Sequence, residues 1–188
     1  MAYDGRIETG TSRTGVISYN GEYDSFNTTF IAGLTYSVAA KGASSGSGSL
    51  ADPNIALYSG NTRLLFNDDV NPPNDSTPGT NRDGQLTFTI GAGGTGVYSL
   101  VVGEQGNNAT GSYTLTVSAG YASNAADNVT GTAYSDAIHG MAGNGLLYGM
   151  SGNDNLIGGT GNDTLLGGDL GDVLQGQAGD DVLRGQAG

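Results

Sequence analysis

Six aspartates and one glycine recur at intervals of nine residues: Asp127, Asp136, Gly145, Asp154, Asp163, Asp172 and Asp181. Two residues after each stands an aliphatic side chain: Val129, Ile138, Leu147, Leu156, Leu165, Leu174 and Leu183. Five residues before all but the first stands a glycine, from Gly131 to Gly176. Glycine allows the positive φ that a tight turn needs. Such a turn can aim backbone carbonyls, here those of Gly158, Thr160, Gly167 and Gly176, at a point that a carboxylate also reaches. Shells of about six to eight oxygens are what calcium prefers. The spacing therefore nominates Asp127, Asp136, Asp154, Asp163, Asp172 and Asp181, with those carbonyls, as ligands of several Ca2+ ions. One unit cannot bury its aliphatic residue alone, so the units must stack as short strands. Without calcium the aligned carboxylates would repel, and the stack should loosen.

The stretch Gly158-Gly159-Thr160-Gly161-Asn162-Asp163-Thr164-Leu165-Leu166 matches the nonapeptide G-G-x-G-x-D-x-U-x at every position. The segment resembles the repeats-in-toxin (RTX) parallel β-roll. That resemblance implies two units per coil, with calcium between turns stacked on the same side. Odd and even units then form two ladders. Asp136, Asp154 and Asp172 make one; Asp127, Asp163 and Asp181 make the other, with Gly145 as a gap. Tyr134 and Leu170 stand where the pattern has a turn glycine, and Gly145 removes a carboxylate, so sites there are expected to be weak or empty. Asp163 is expected to hold the best site. A disordered Gly/Asp linker would not keep a phased aliphatic position.

Composition points the same way. The 188 residues hold 18 acidic and 6 basic side chains, a net charge of −12. That argues against nucleic acid and anionic membranes, which attract basic patches. There is no cysteine, so metal rather than disulfides would brace the chain. No apolar run is long enough to span a bilayer. Met1-Ala2-Tyr3-Asp4-Gly5 lacks the start of a signal peptide, and the last residues stop within the repeat register. The expectation is a piece of a longer chain, monomeric within it. The RTX resemblance implies export from Gram-negative cells by type I secretion and an extracellular or cell-surface location.

Residues 1–120 read differently from 121–188. Short runs alternate with turn signals, as in an antiparallel β-sandwich. Candidate strands are Gly15–Tyr19, Tyr23–Ile31, Thr35–Ala40, Asn54–Tyr58, Arg63–Asn67, Gln85–Ile90, Gly96–Val102 and Gly111–Ser118. In Tyr113-Thr114-Leu115-Thr116-Val117, apolar and hydroxyl residues alternate with the period of a strand. With no long linker near residues 120–124, the two parts are expected to pack as one rigid unit. The fold class expected is all-β: a sandwich packed against a short parallel roll. Gly21-Glu22-Tyr23-Asp24-Ser25-Phe26, Leu50-Ala51-Asp52-Pro53, Asn67-Asp68-Asp69, Thr95-Gly96-Val97-Tyr98 and Thr110-Gly111-Ser112-Tyr113, in that order, resemble the bacterial pre-peptidase C-terminal (PPC) domain. Asp24 and Asp52 read as fold-stabilising residues of that pattern.

One stretch departs from it. Residues 67–84 form a long polar loop carrying Asp68, Asp69, Asp75 and Asp83 beside Asn67, Asn71, Asn74 and Asn81, and Pro72, Pro73 and Pro78 limit its freedom. Three readings stay open: a solvated acidic loop, a calcium that braces it, or a calcium that also touches a ligand. On the last, Asp68, Asp69, Asp75 and Asp83 bind metal. Asn67, Asp69, Asn74, Asp75, Arg82 and Tyr134 then meet the ligand.

Catalysis is not indicated. The lone histidine, His139, falls at a surface position of a repeat. Thiol and zinc chemistry lack their residues, and no serine stands in a G-x-S-x-G elbow. The glycines are followed by neither helix nor lysine, so they do not read as a phosphate cradle. A PPC-like sandwich joined directly to an RTX roll resembles the peptide-binding domain of giant RTX adhesins, which implies calcium-dependent capture of the C-terminal end of host surface proteins. With one lysine and five arginines the chain has few side-chain cations for a carboxylate, and a calcium with an open position can supply the charge. The competing readings are a structural accessory of a secreted hydrolase and a glycan-binding module. The loop has no aromatic residue for sugar stacking. The outward residues after each Asp are too irregular to order ice.

Overall fold

The computed structural model describes residues 2–43, 46, 48–67, 83–104 and 109–188. Among the described residues seventeen strands appear in chain order: β1 (Ala2–Arg6), β2 (Thr11–Ile17), β3 (Asp24–Phe30), β4 (Thr35–Lys41), β5 (Pro53–Ser59), β6 (Thr62–Asn67), β7 (Gly84–Thr89), β8 (Gly96–Glu104), β9 (Gly111–Val117), β10 (Gly120–Tyr121), β11 (Asn128–Thr130), β12 (Ala137–His139), β13 (Leu146–Ser151), β14 (Asn155–Thr160), β15 (Thr164–Asp169), β16 (Val173–Ala178) and β17 (Val182–Ala187). The expected all-β sandwich and parallel roll are both present. Among the described residues no helix is long and apolar enough to cross a membrane.

One sandwich sheet runs β1-β3-β8-β5-β6. Its partner is built on β4, which pairs with β7 on one edge and with β9 on the other, and β2 pairs with β9. Alternation explains the layering. In β4 the even residues Tyr36, Val38 and Ala40 are buried, while odd positions alternate outward, and β9 buries Tyr113, Leu115 and Val117 in the same way. Phe30 sits at the centre, with ring centroids 4.5 Å from Tyr36, 5.1 Å from Phe88 and 5.6 Å from Tyr98. Asp24 is buried in this layer, and the Tyr113 hydroxyl donates to its Oδ2 at 2.6 Å. That bond fits the fold-stabilising reading of Asp24. Tyr19, expected in a strand, instead lies exposed beyond the end of β2.

Two elements were not anticipated. β1 runs parallel to β3 at the sheet edge, with a register shift between Tyr3 and Gly5. β10 is only two residues long, yet it joins the two halves. Tyr121 pairs antiparallel with Thr35 of β4, while Gly120 and Tyr121 pair parallel with Ile138 and His139 of β12. The sandwich sheet therefore continues without a break as β10-β12-β14-β16, one wall of the roll. The other wall is β11-β13-β15-β17. Every roll pairing joins residues eighteen apart, such as Leu147 with Leu165 and Leu156 with Leu174, so two nine-residue units make one coil. Val129, Ile138, Leu147, Leu156 and Leu165 are buried between the walls and belong to the same hydrophobic cluster as the sandwich core.

Candidate calcium ladder and ligand loop

Six of the seven nonapeptides carry an Asp that closes the turn, two positions before an aliphatic residue that is buried in the inner coils. The Asp side chain does two jobs. Its Oδ1 reaches back one coil and accepts the backbone N–H eighteen residues earlier. Asp154 accepts from Asp136 (2.8 Å), Asp172 from Asp154 (3.0 Å), Asp163 from Gly145 (2.7 Å) and Asp181 from Asp163 (2.9 Å). The even and odd ladders thus form as expected, with Gly145 supplying an N–H but no carboxylate to the odd one.

The second oxygen points elsewhere. Oδ2 of Asp154, Asp163 and Asp172 is buried with no hydrogen-bond donor. A buried anionic oxygen left without a partner is costly, and its usual remedy is a cation. The surroundings fit one. A Cβ built on Gly158 would lie 2.5 Å from Asp163 Oδ2 and 2.9 Å from the carbonyl oxygen of Gly176 on the next coil. At Gly149 a Cβ would likewise crowd Asp154 Oδ2 and the Gly167 carbonyl. The glycine before each Asp leaves room where a carboxylate of one coil and a carbonyl of the next converge on an all-oxygen set. Among the described residues no three acidic or histidine side chains gather around one point. This donor set does not need them, because backbone carbonyls supply the other ligands. Asp154, Asp163 and Asp172 with the carbonyls of Gly167 and Gly176 are therefore the residues suited to hold calcium. Burial, with the charges of Asp136 and Asp172 beside it, raises the Asp154 carboxyl to about 6; burial also raises Asp136.

Asp127 and Asp136, both expected as metal ligands and Asp136 at a turn expected to be weak, are already engaged. Ser123 Oγ donates to both carboxylate oxygens of Asp127 (3.0 and 2.9 Å), and Thr132 bonds Asp136 Oδ2 through its N–H (2.7 Å) and hydroxyl (3.0 Å). Asp181 lies at the outer end, its Oδ2 against Gly176. Thr160 closes β14, its N–H bonded to the Met141 carbonyl at 2.9 Å. Leu170 meets the demand of its turn by adopting φ 75°, and Tyr134 does not. Instead Tyr134 lies exposed, with the Arg6 guanidinium 3.7 Å from its ring centroid.

A second ladder escaped the sequence reading. In four turns the residue before the register position reaches forward one coil: Asn144 Oδ1 accepts from Asn162 N–H (2.8 Å), Asn162 from Asp180 (3.0 Å), Asn153 from Gly171 (3.2 Å) and Ser135 Oγ from Asn153 (3.2 Å). The recurrence of Asn and Ser just before Asp was the available signal. Each coil is thereby stitched in both directions by side chains.

The polar loop is rooted at the far end of the sandwich. Asp68, Asp69, Asn74, Asp75 and Arg82 lie outside the described residues. Its two roots are fixed. Asn67 Nδ2 donates to the Gln85 carbonyl (2.5 Å), and buried Asp83 accepts from the Gly42 N–H (2.7 Å). Asn67 Oδ1 is buried with no donor among the described residues. Gly42 follows β4 at its end opposite Thr35, which pairs with the roll, so roughly 20 Å of strand separates the loop root from the roll junction. His139, on the roll wall, stacks obliquely on Tyr121 with centroids 4.9 Å apart.

Comparison with known proteins adds the following. Residues 121–156, 148–169 and 166–188 match the family model of the RTX calcium-binding nonapeptide repeat (4 copies). No curated protein sequence matches the chain. Among solved structures, the pre-peptidase C-terminal domain of a Bacillus anthracis collagenase is similar at 13% identity and TM-score 0.42, covering 62% of this chain and 97% of that one. A mutant of the Escherichia coli periplasmic inhibitor of g-type lysozyme gives 15% identity and TM-score 0.36 over 62% and 99%. Its Aeromonas hydrophila counterpart gives 18% and 0.33 over 62% and 99%. The segment from residue 121 onward carries RTX calcium-binding repeats.

Proposed function

We propose that the chain is a non-catalytic, extracellular, calcium-dependent adhesion module of a large RTX adhesin, exported by type I secretion. Its ligand is the C-terminal end of a surface protein on a host cell, gripped by residues 67–84 through a loop-bound calcium. One observation carries the reading. The loop roots sit at the end of the sandwich opposite the calcium ladder, and the two ends are joined by a continuous sheet. A stem that hardens with calcium thus presents a polar loop at its tip. The orphaned Asn67 Oδ1 at the loop root suits a hard cation there. The net charge of −12 disfavours capture of a carboxylate by side chains alone and favours a metal bridge.

The test is binding to a fluorescent peptide library with free C-termini, in calcium, beside the same peptides amidated. Binding that disappears on amidation and on calcium removal supports carboxylate capture. Equal binding of both series, or binding of neither, overturns it, and the second result moves the reading to a structural accessory or a glycan-binding module.

A further inference from the structure

Two kinds of turn occur in the roll. From residue 141 onward, the position four before each Asp register site has positive φ whatever its residue: Met141 (71°), Met150 (82°), Gly159 (114°), Gly168 (120°), Gln177 (71°) and Gln186 (68°). Ser123 and Thr132 occupy the same position in the first two turns and do not adopt it. Their side chains act on the carboxylate instead. Hydroxyl-to-Asp bonds of 2.9–3.0 Å at Asp127 and of 3.0 Å at Asp136, with the Thr132 N–H adding 2.7 Å, satisfy the oxygens that stay orphaned in Asp154, Asp163 and Asp172. The third turn, 140–144, has no carboxylate of its own because Gly145 ends it.

We propose that calcium enters only the turns from Met150 onward, and that the Ser123 and Thr132 hydroxyls take the place of the ion in the first two turns. The first coil is then a metal-independent seed. It is held to the sandwich by more than turn chemistry. β10 pairs with both β4 and β12, Ala122 N–H bonds the His139 carbonyl (2.8 Å), and the Ala137 N–H bonds Thr9 Oγ1 (3.1 Å). Arg6 covers Tyr134 from the sandwich side. Stacking a coil on an existing coil avoids the cost of starting a new one, because repeat arrays gain stability from each neighbour interface. The seed therefore gives the calcium-binding coils a fixed template, and ordering runs in one direction, away from the sandwich.

This inference rests on the calcium reading of the roll, and the experiment separates the two. Hydrogen exchange of the whole chain is measured with saturating calcium chloride and with chelator. The expected result is that amides of residues 121–140 stay protected in chelator, exchanging at least roughly tenfold more slowly than those of 150–188, which become protected only in calcium. Calorimetric titration with calcium should show no ion lost on Asp136→Asn and one ion lost on Asp163→Asn. Thr132→Val keeps the shape of the side chain and removes its hydroxyl donor, so it should speed exchange of 121–140 in chelator with calcium stoichiometry unchanged. Loss of an ion on Asp136→Asn, or exchange of 121–140 as fast as 150–188 in chelator, overturns the seed while leaving the calcium reading intact. No calcium binding at all, with 150–188 indifferent to chelator, overturns both.

Discussion

Asp163→Asn isolates the metal's contribution from the carboxylate's structural role. The side chain is 2% exposed, and its Oδ1 accepts the Gly145 N–H at 2.7 Å. An amide oxygen can keep that bond, so in chelator the variant loses little and sheds a buried charge with no partner at Oδ2. In calcium it loses one ion. If calcium stands at about a hundredfold over its dissociation constant, one site stabilises the fold by about 2.7 kcal/mol. For a chain of this size that corresponds to a fall in Tm of roughly 5–10 °C, seen only with calcium present. Asp163→Ala removes both functions. It strands the half-buried Gly145 N–H at a cost of about 1–3 kcal/mol wherever that coil is folded, added to the calcium loss. The assay is thermal unfolding of wild type and both variants, each with calcium and with chelator. A Tm fall for Asp163→Asn that is equal in calcium and chelator would mean the carboxylate is structural only. No fall in calcium would mean that no ion sits there.

Two further outcomes follow from the same geometry. The folded-state Asp154 carboxyl lies at about 6 against 3.8 for the free side chain, chiefly through burial, and Asp136 is shifted in the same direction. Without calcium, the folded roll therefore holds protons that its disordered form releases, so the folded share of the roll, small at pH 7.5, should rise as pH falls toward 5. With calcium bound, acid should weaken the roll instead, because protons compete for the ligand oxygens. Melting curves of decalcified and calcium-loaded protein between pH 5 and 7.5 check the opposite slopes, and parallel slopes refute them. Met150→Gly should raise Tm in calcium by roughly 1–3 °C, since Met150 pays for φ 82° with a side chain that is 41% exposed and buries little; an unchanged or lower Tm means the turn is not strained.

The sequence made the roll legible because its signal is periodic. The nine-residue recurrence of Asp and of an inward aliphatic residue requires two units per coil, and the observed eighteen-residue pairings realise it. The sandwich strands were legible from alternation, as in β9, where Tyr113, Leu115 and Val117 face the core. β1 escaped because five mostly polar residues interrupted by Gly5 carry no period. β10 escaped because two residues cannot show one, and its importance comes from pairings with Thr35 and Ile138, both distant in sequence. The difference between Thr132 and Met150 was also hidden. Both simply replace a glycine of the motif, and only backbone geometry reveals that one caps a carboxylate while the other takes the left-handed conformation.

Charge spacing explains why such a roll answers to calcium. Parallel strands lie about 4.8 Å apart, so neighbouring rung carboxylates sit at about that distance. At an effective dielectric near 20, two such charges repel by about 3 kcal/mol. Burial chiefly raises the Asp154 carboxyl, and the charges of Asp136 on one side and Asp172 on the other add to that rise. A divalent ion between coils reverses the sign of these interactions, turning the most repulsive part of the stack into the most cohesive. On the odd side Gly145 places two coil spacings between Asp127 and Asp163, roughly halving their repulsion. Next to the sandwich the Ser123 and Thr132 hydroxyls already hold the carboxylates, whereas Asp154, Asp163 and Asp172 each keep an oxygen that has only a cation to turn to.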